Sequence, residues 1–151
     1  MEKWYAKKAT DRDTGFMHNH SLTNDYIVRA GKRLLALEVL YREESWADVV
    51  RESQEIVELT LKGMLRACHM EVPRIHDVSS VLLEHKKRIP EPARSSIDFL
   101  VKASRSLRRD RELAFYGSED LTPSEFYTLH DADTAFDYAR KTHQLVLDSL
   151  K

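Results

Sequence analysis

Residues 45–77 read SWADVVRESQEIVELTLKGMLRACHMEVPRIHD, and this stretch decides the fold. Mostly apolar side chains recur in it at helical spacing: Trp46, Val49, Val50, Ile56, Val57, Thr60, Leu61, Met64 and Cys68. Such a stripe is typical of a long amphipathic helix, and this one needs packing partners on several sides. Ser45 is predicted to cap the helix, with Asp48 three residues later, and Pro73 lies beyond its end. We therefore predict the central helix of a bundle.

The opposite face of this helix is polar and consists of Arg51, Glu52, Glu55, Glu58, Lys62 and Arg66. Glu58 and Lys62 stand four residues apart, which is the spacing of a helical ion pair. Taken alone, this face is interpreted as a solvated surface.

The end of the stretch carries a short motif. Residues 58–65 read E-x-x-L-K-x-x-L, and Ile75, His76, Asp77 and Val78 follow Pro73. This combination resembles the HEPN family, in which E-x-x-L-K-x-x-L precedes a proline-containing turn and a T-H-D-L helix start. Isoleucine and valine here replace the threonine and leucine. The resemblance covers roughly residues 24–150 by element order and implies an all-α, antiparallel up-and-down bundle of about five helices.

Composition agrees with one compact helical domain. The chain has 151 residues, of which 42% are hydrophobic and 32% charged, with only four glycines and four prolines. We expect an N-terminal arm over residues 1–20 and a single bundle over 21–151. A formal net charge of -1 gives no overall attraction to nucleic acid, so any phosphate affinity must come from a local cluster.

The sequence predicts a cytoplasmic protein without a membrane partner. The N-terminus lacks the apolar region of a signal peptide, and no apolar run is long enough to span a bilayer. The single cysteine, Cys68, lies on the apolar stripe and is interpreted as a buried thiol.

The other helices are predicted from the same period. A connection of Glu44 and Ser45 alone predicts an antiparallel hairpin before the central helix. His143, on the apolar side of the final helix, is interpreted as a core histidine with a hydrogen-bond partner. The expected limits are Asn24 to Glu43, Asp77 as a cap to the residue before Pro90, Pro92 to Phe115, a short turn from Thr122, and a final helix capped by Asp131.

The fourth predicted helix turns basic where its apolar stripe should continue. Three and four residues after Leu107 come Asp110 and Arg111, so Arg111 is predicted near the core-facing side. An inward charge must be paired or face a cleft, because its unpaired burial is costly. Two interpretations stay open. One is an ion pair, either Arg108 with Glu112 or Arg111 with a glutamate of the central helix; the other is a ligand pocket.

The sequence does not predict a catalytic site. It lacks the G-x-x-x-x-G-K-[ST], G-x-G-x-x-G, G-x-S-x-G and H-E-x-x-H motifs. The resemblance implies metal-independent ribonuclease chemistry in many family members, built on R-x(4–6)-H in the fourth-helix region. Here Tyr116 follows Arg111 after four intervening residues, and no histidine occurs before His130. A tyrosine with a pKa of about 10 is a poor base at neutral pH. The match formed by Arg12 and His18 precedes the first helix and is interpreted as chance.

What remains is a predicted ligand site, since arginine holds phosphate and an aromatic ring can stack on a base. The lone H-x-H of His18 and His20 does not predict a metal site, and no cofactor is expected. The candidate ligand-binding residues are Arg108, Arg111, Tyr116, Lys62 and His76.

By resemblance, the chain is expected to bind a nucleotide or nucleic-acid phosphate without catalysis, as the partner of a small nucleotidyltransferase in a toxin–antitoxin-like pair. One alternative is a HEPN ribonuclease toxin with an altered motif. The other is a homodimeric helical interaction module without a ligand. A homodimer is expected in any case, with contacts around Phe126, Tyr127 and Leu129.

Overall fold

The computed structural model describes residues 16–72, 74–75, 77–116 and 121–151, and the side chains of residues 16–20 and 108–116 lie outside that description. Within these ranges the chain forms α-helices and short 3-10 turns without a β-strand, so the predicted all-α bundle is confirmed. The helices are α1 (Phe16–Arg42), α2 (Trp46–Ala67), α3 (Ser79–Glu84), α4 (Ile97–Tyr116), α5 (Pro123–Phe126) and α6 (Leu129–Ser149). The 3-10 turns are Lys86–Arg88 and Arg94–Ser96.

Helices α1 and α2 form the predicted antiparallel hairpin. The N–H of Glu44 donates to the carbonyl of Tyr41 and the N–H of Ser45 to that of Leu40, both at 3.0 Å. This is a Schellman motif, and Glu44 takes its left-handed position with φ of 57°. Across the hairpin, Arg33 Nη1 lies 2.9 Å from Glu52 Oε1.

Helix α2 is the centre of the molecule, because it packs against α1, α4 and α6. Its glycine permits the close approach of α1: a Cβ on Gly63 would lie 2.8 Å from Ile27 Cδ1. The buried residues of α2 are Ala47, Val49, Val50, Ser53, Gln54, Ile56, Val57, Thr60, Leu61, Gly63, Met64 and Leu65. This burial on three sides agrees with the wide apolar stripe of the sequence.

Helix α1 begins at Phe16, eight residues earlier than the predicted Asn24. The added turns contain polar residues such as His18 and Asn19, which carry no apolar period and therefore gave no sequence signal. Residues 1–15 of the predicted arm lie outside the described residues.

One predicted helix cap is wrong, and another lacks its side-chain hydrogen bond. Ser45 is the N-cap residue of α2 as predicted, but its hydroxyl donates to the carboxylate of Asp48 and accepts no backbone N–H. Asp131 is the third residue of the final capping motif, in which Thr128 is the cap. There Asp131 Oδ2 accepts the N–H of Thr128 at 2.9 Å, and Thr128 Oγ1 accepts the N–H of Asp131 at 3.3 Å. A side chain that reaches back to the N-cap backbone is the acidic half of a capping box.

Helix α6 runs antiparallel to both α4 and α1. Phe99 and Tyr138 pack with ring centroids 5.6 Å apart, and the N–H of Ala93 donates to Ser149 Oγ at 2.9 Å. His143 is 3% exposed and lies with Nε2 3.2 Å from the carbonyl oxygen of Ile27. Burial lowers the pKa of His143, which keeps the ring neutral with Nε2–H as the donor. The interpretation of His143 as a satisfied core histidine is confirmed.

In the described part of the chain, no helix combines the length and the apolar character that crossing a membrane requires.

Candidate functional site

The E-x-x-L-K-x-x-L motif divides between the core and a half-buried polar row. Leu61 and Leu65 are fully buried. Lys62 Nζ donates to Glu58 Oε1 at 2.8 Å, and Gln54 Nε2 donates to Glu58 Oε2 at 2.8 Å. The side chains of Lys62 and Glu58 are 16% and 14% exposed, so the pair is partly shielded from water. The predicted ion pair is therefore confirmed, and it neutralises the charge of Lys62.

The basic part of α4 is helical without interruption. The backbone keeps helical geometry through Arg108, Arg111 and Tyr116, and α4 packs along α2. The side chains of these three residues lie outside the described part of the structure, as does His76. Of the five predicted ligand-binding residues, Lys62 alone has a described side chain. Their assembly into one site stays a prediction.

Asp77 fixes the chain between α2 and α3 to the middle of α4. Its Oδ1 accepts the N–H of Ser79 and the hydroxyl of Ser104, both at 2.9 Å. Ser104 Oγ in turn accepts the N–H of Val78 at 3.2 Å, and Arg105 Nε donates to Ser79 Oγ at 3.1 Å. Asp77 therefore binds the first N–H of α3 as predicted, although Val78 stands between it and the helix.

The direction in which the pKa of Asp77 is shifted agrees with its role as a hydrogen-bond acceptor between α3 and α4. Burial acts to raise the pKa of Asp77, but the hydrogen bonds from Ser79 and Ser104 and the charge of Arg105 act in the opposite direction. Their sum holds the pKa of Asp77 below its usual value, because the ionised carboxylate is the better acceptor. An ionised aspartate is thus held against α4 at Ser104, four residues before Arg108 on that helix.

A groove of about 750 Å³ lies between α1 and α6. Tyr41 forms one wall, packed edge-to-face on Trp46 and Phe136 with centroids 5.4 and 5.7 Å away. Its hydroxyl donates to Asp133 Oδ1 at 2.6 Å, and this hydrogen bond raises the pKa of Tyr41. The charged lining is mixed and consists of Glu38, Arg42, Asp133, Asp137 and Arg140. Because acids outnumber bases there, the groove does not favour an anionic ligand.

A second cleft, of about 510 Å³, lies where α2 ends. Its lining is His69, Met70, Glu71, Val81, His85 and Arg88. Helix α2 ends in a second Schellman motif: the N–H of Met70 donates to the carbonyl of Leu65 at 2.9 Å, and His69 holds the left-handed position with φ of 57°. Arg88 Nη2 donates to the carbonyls of Cys68 and His69 at 3.0 and 3.2 Å.

Cys68 differs from its prediction as a buried core thiol. It is the C-terminal cap of α2 and is only half-buried. Burial raises the pKa of Cys68, although the charge of Arg88 acts to lower it. The thiol is therefore mostly protonated and weakly nucleophilic at neutral pH.

Sequence reasoning missed this cleft. The sequence shows consecutive basic residues at His85, Lys86, Lys87 and Arg88. It does not show that Arg88 contacts the carbonyls of Cys68 and His69, which are 20 and 19 positions away. In the described part of the chain, no group of three or more His, Cys, Asp or Glu side chains is arranged to hold a metal ion.

Comparison with known families assigns the chain to one of them. A family model described as HEPN domain matches residues 23–149, which includes all of α2 through α6 and most of α1. A search of the curated proteins and a search of the solved structures gave no significant match. The all-α bundle and the paired Glu58 and Lys62 of the E-x-x-L-K-x-x-L motif agree with the family match. The chain belongs to the HEPN domain family.

Proposed function

We propose that this HEPN-domain protein binds a nucleotide or a nucleic-acid phosphate without cleaving it, on the side of the bundle where α2 and α4 pack together. The observation that carries the proposal is the unbroken helix α4, which packs against α2 and continues in helical geometry through Arg108 and Arg111. Glu58 is engaged by Lys62 and Gln54, so its charge is compensated and repels an incoming phosphate less than a free carboxylate would.

The absence of catalysis rests on the sequence of α4. No histidine occurs between His85 and His130, so the R-x(4–6)-H pattern of the family's ribonucleases cannot form on this helix. Tyr116 stands where the histidine is expected and exchanges protons poorly near neutral pH. His143 does not replace it, because its ring is buried and donates to Ile27.

The test is a calorimetric titration of wild type and Arg111→Ala with a panel of nucleotides and short RNAs. A charge-assisted hydrogen bond contributes about 1.5–3 kcal/mol, so Arg111→Ala should weaken binding roughly tenfold or more. Arg111→Lys should also weaken it, because an ammonium group cannot reproduce the bidentate geometry of guanidinium.

Lys102→Ala is the matched control for these variants. Lys102 is an exposed cation on the same helix, so its loss should leave the affinity unchanged. Melting curves decide between pocket and ion pair. A lower melting temperature of Arg111→Ala with unchanged nucleotide affinity would assign Arg111 to the ion pair and reject the pocket.

A ribonuclease assay tests the catalytic alternative. We expect no RNA cleavage by the purified protein. Turnover that disappears in Arg111→Ala and Tyr116→Phe would establish a ribonuclease with an altered motif.

The proposed protein partner is a small nucleotidyltransferase, in a toxin–antitoxin-like pair, as the family resemblance implies. A neighbouring nucleotidyltransferase gene and a complex of defined stoichiometry between the two purified proteins would support it. Two purified proteins that elute separately at micromolar concentration would remove this partner from the proposal.

A homodimeric interaction module is a second candidate, favoured by exposed apolar side chains at the end of α5 and the start of α6. Phe126 and Leu129 are 44% and 49% exposed, whereas Tyr127, predicted beside them as a contact, is 4% exposed and packs inward. Light scattering on wild type and Leu129→Glu tests this surface. A dimer that the substitution converts to a monomer supports it, and a wild-type monomer at high concentration rejects it.

A further inference from the structure

Cations without acidic partners collect at the end of α2. Elsewhere on the surface such side chains commonly pair, as Arg94 does with Glu91 and Lys141 with Asp137. Lys86 and Lys87 are consecutive and exposed, and neither forms an ion pair with a described residue. Because the whole chain carries a formal charge of -1, this positive surface is a local feature.

Arg88 continues the same basic run and is held in place by the backbone. Its Nη2 donates to two carbonyl oxygens at the end of α2, at 3.0 and 3.2 Å. Carbonyls fix the guanidinium but leave its net charge, whereas a carboxylate would cancel it. Nε and Nη1 have no partner within the described residues and remain available as donors.

The cleft beside Arg88 has the lining of an anion site. Met70 and Val81 contribute apolar surface to it, and Glu71 is the one acid among the lining residues. His85 also lines it, with Nε2 4.0 Å from Oε2 of the neighbouring Glu84. At about 510 Å³, the cleft is within the size range of small-ligand sites.

We propose that this cleft binds the sugar–phosphate backbone of single-stranded nucleic acid, with one phosphate on Arg88 and neighbouring phosphates on Lys86 and Lys87. Arg88 lines the cleft, whereas Lys86 and Lys87 lie outside it on the same 3-10 turn. The positive surface is therefore larger than the cleft and can contact more than one phosphate. No phenylalanine, tyrosine or tryptophan lines the cleft, so the contacts are chiefly to the sugar–phosphate backbone and tolerate any base sequence. This second site shares the ligand class of the proposed function but does not use the arginines of α4.

The experiment is a fluorescence-anisotropy titration of a labelled oligouridylate over a salt series, with wild type and the double variant Lys86→Ala/Lys87→Ala. Each phosphate contact on a single strand contributes about 0.7 to the slope of log K against log salt, so loss of two should lower the slope by about 1.4. At ~0.1 M salt this corresponds to roughly 25-fold weaker binding.

Two further variants separate charge from folding. Lys32→Ala removes an exposed lysine of α1 and should leave affinity and slope unchanged. Arg88→Gln should weaken binding as well, but it also removes the donor to two carbonyls, so its affinity is compared only if its melting curve remains cooperative.

The outcomes separate the two sites. If the lysine variant matches wild type in affinity and slope, or if wild type does not bind the oligonucleotide at low salt, the cleft proposal is overturned. Loss of binding in Arg111→Ala with a normal lysine variant supports the α4 site and rejects the cleft, and the reverse result supports the cleft and rejects the α4 site. A second arm uses AMP. If the lysine variant retains wild-type AMP affinity but loses affinity for the oligonucleotide, the result supports recognition of the sugar–phosphate backbone. An equal loss of affinity for both ligands overturns that proposal.

Discussion

Glu44 offers the sharpest test of how the α1–α2 hairpin is built. It is an exposed residue at the left-handed position between the helices, with φ of 57°. A side chain in this conformation costs about 1–2 kcal/mol, which glycine avoids. Glycine in turn loses about 0.5–1 kcal/mol more backbone entropy on folding. We therefore expect Glu44→Gly to raise the free energy of unfolding by about 0.5–1 kcal/mol.

The assay is urea denaturation followed by circular dichroism, with thermal melting alongside. For a domain of this size 1 kcal/mol corresponds to about 2–4 °C, so the melting temperature should rise by about 1–4 °C. Glu43→Gly is the matched control. Glu43 is also exposed and adjacent, but it has no positive φ, so glycine there gives the entropic loss alone and should lower stability.

The reasoning is refuted if Glu44→Gly lowers stability, or if both glycine variants shift it in the same direction. An unchanged m-value is required for either comparison, because a change would mean that the substitution alters the unfolded ensemble.

Two further predictions concern pH. The pKa of Asp77 is lowered in the folded protein, so its stabilisation is present above the unfolded value of about 4 and is lost as pH falls through the folded pKa. Asp77→Ala should cost about 1–2 kcal/mol at neutral pH, as removal of a helix-start acceptor does, and the difference from wild type should shrink in acid denaturation series. Burial lowers the pKa of His143, so its contribution is complete above about pH 6.5 and declines below it. Urea denaturation between pH 7.5 and 5.5 or so should show falling stability in wild type and a flatter profile in His143→Gln, and an equal slope in both would contradict the assignment.

The fold was largely predictable because apolar residues recur at helical spacing along most of each long helix. Every buried side chain of α2 lies within the stretch that the sequence marks as central. Boundaries were less predictable, since the first turns of α1 mix polar residues with Phe16, Met17 and Leu22 and show no clear helical apolar period. Caps depend on one hydrogen bond each: Ser45 and Thr128 are both good capping residues, but only Thr128 accepts a backbone N–H. Nothing in local composition separates the two.

The candidate sites show the same limit more strongly. The pair of Glu58 and Lys62 was predictable because both residues lie on one helix at fixed spacing. The cleft at the end of α2 was not, because it depends on Arg88 reaching carbonyls of Cys68 and His69. A contact across 19 to 20 residues of loop and short helix leaves no periodic signal in the sequence.

The central position of α2 also has a consequence for synthesis on the ribosome. The hairpin of α1 and α2 is local and can form once Ala67 has emerged. The carbonyl of Ile27, however, gains its hydrogen-bond partner only when His143, 116 positions later, has been made. Roughly 80 further residues must be made before Ser149 completes α6, which takes about 4–16 s at 5–20 residues per second. During that interval the sides of α2 that belong against α4 and α6 are without cover. A nascent chain of this length is therefore the form most exposed to aggregation and to capture by chaperones.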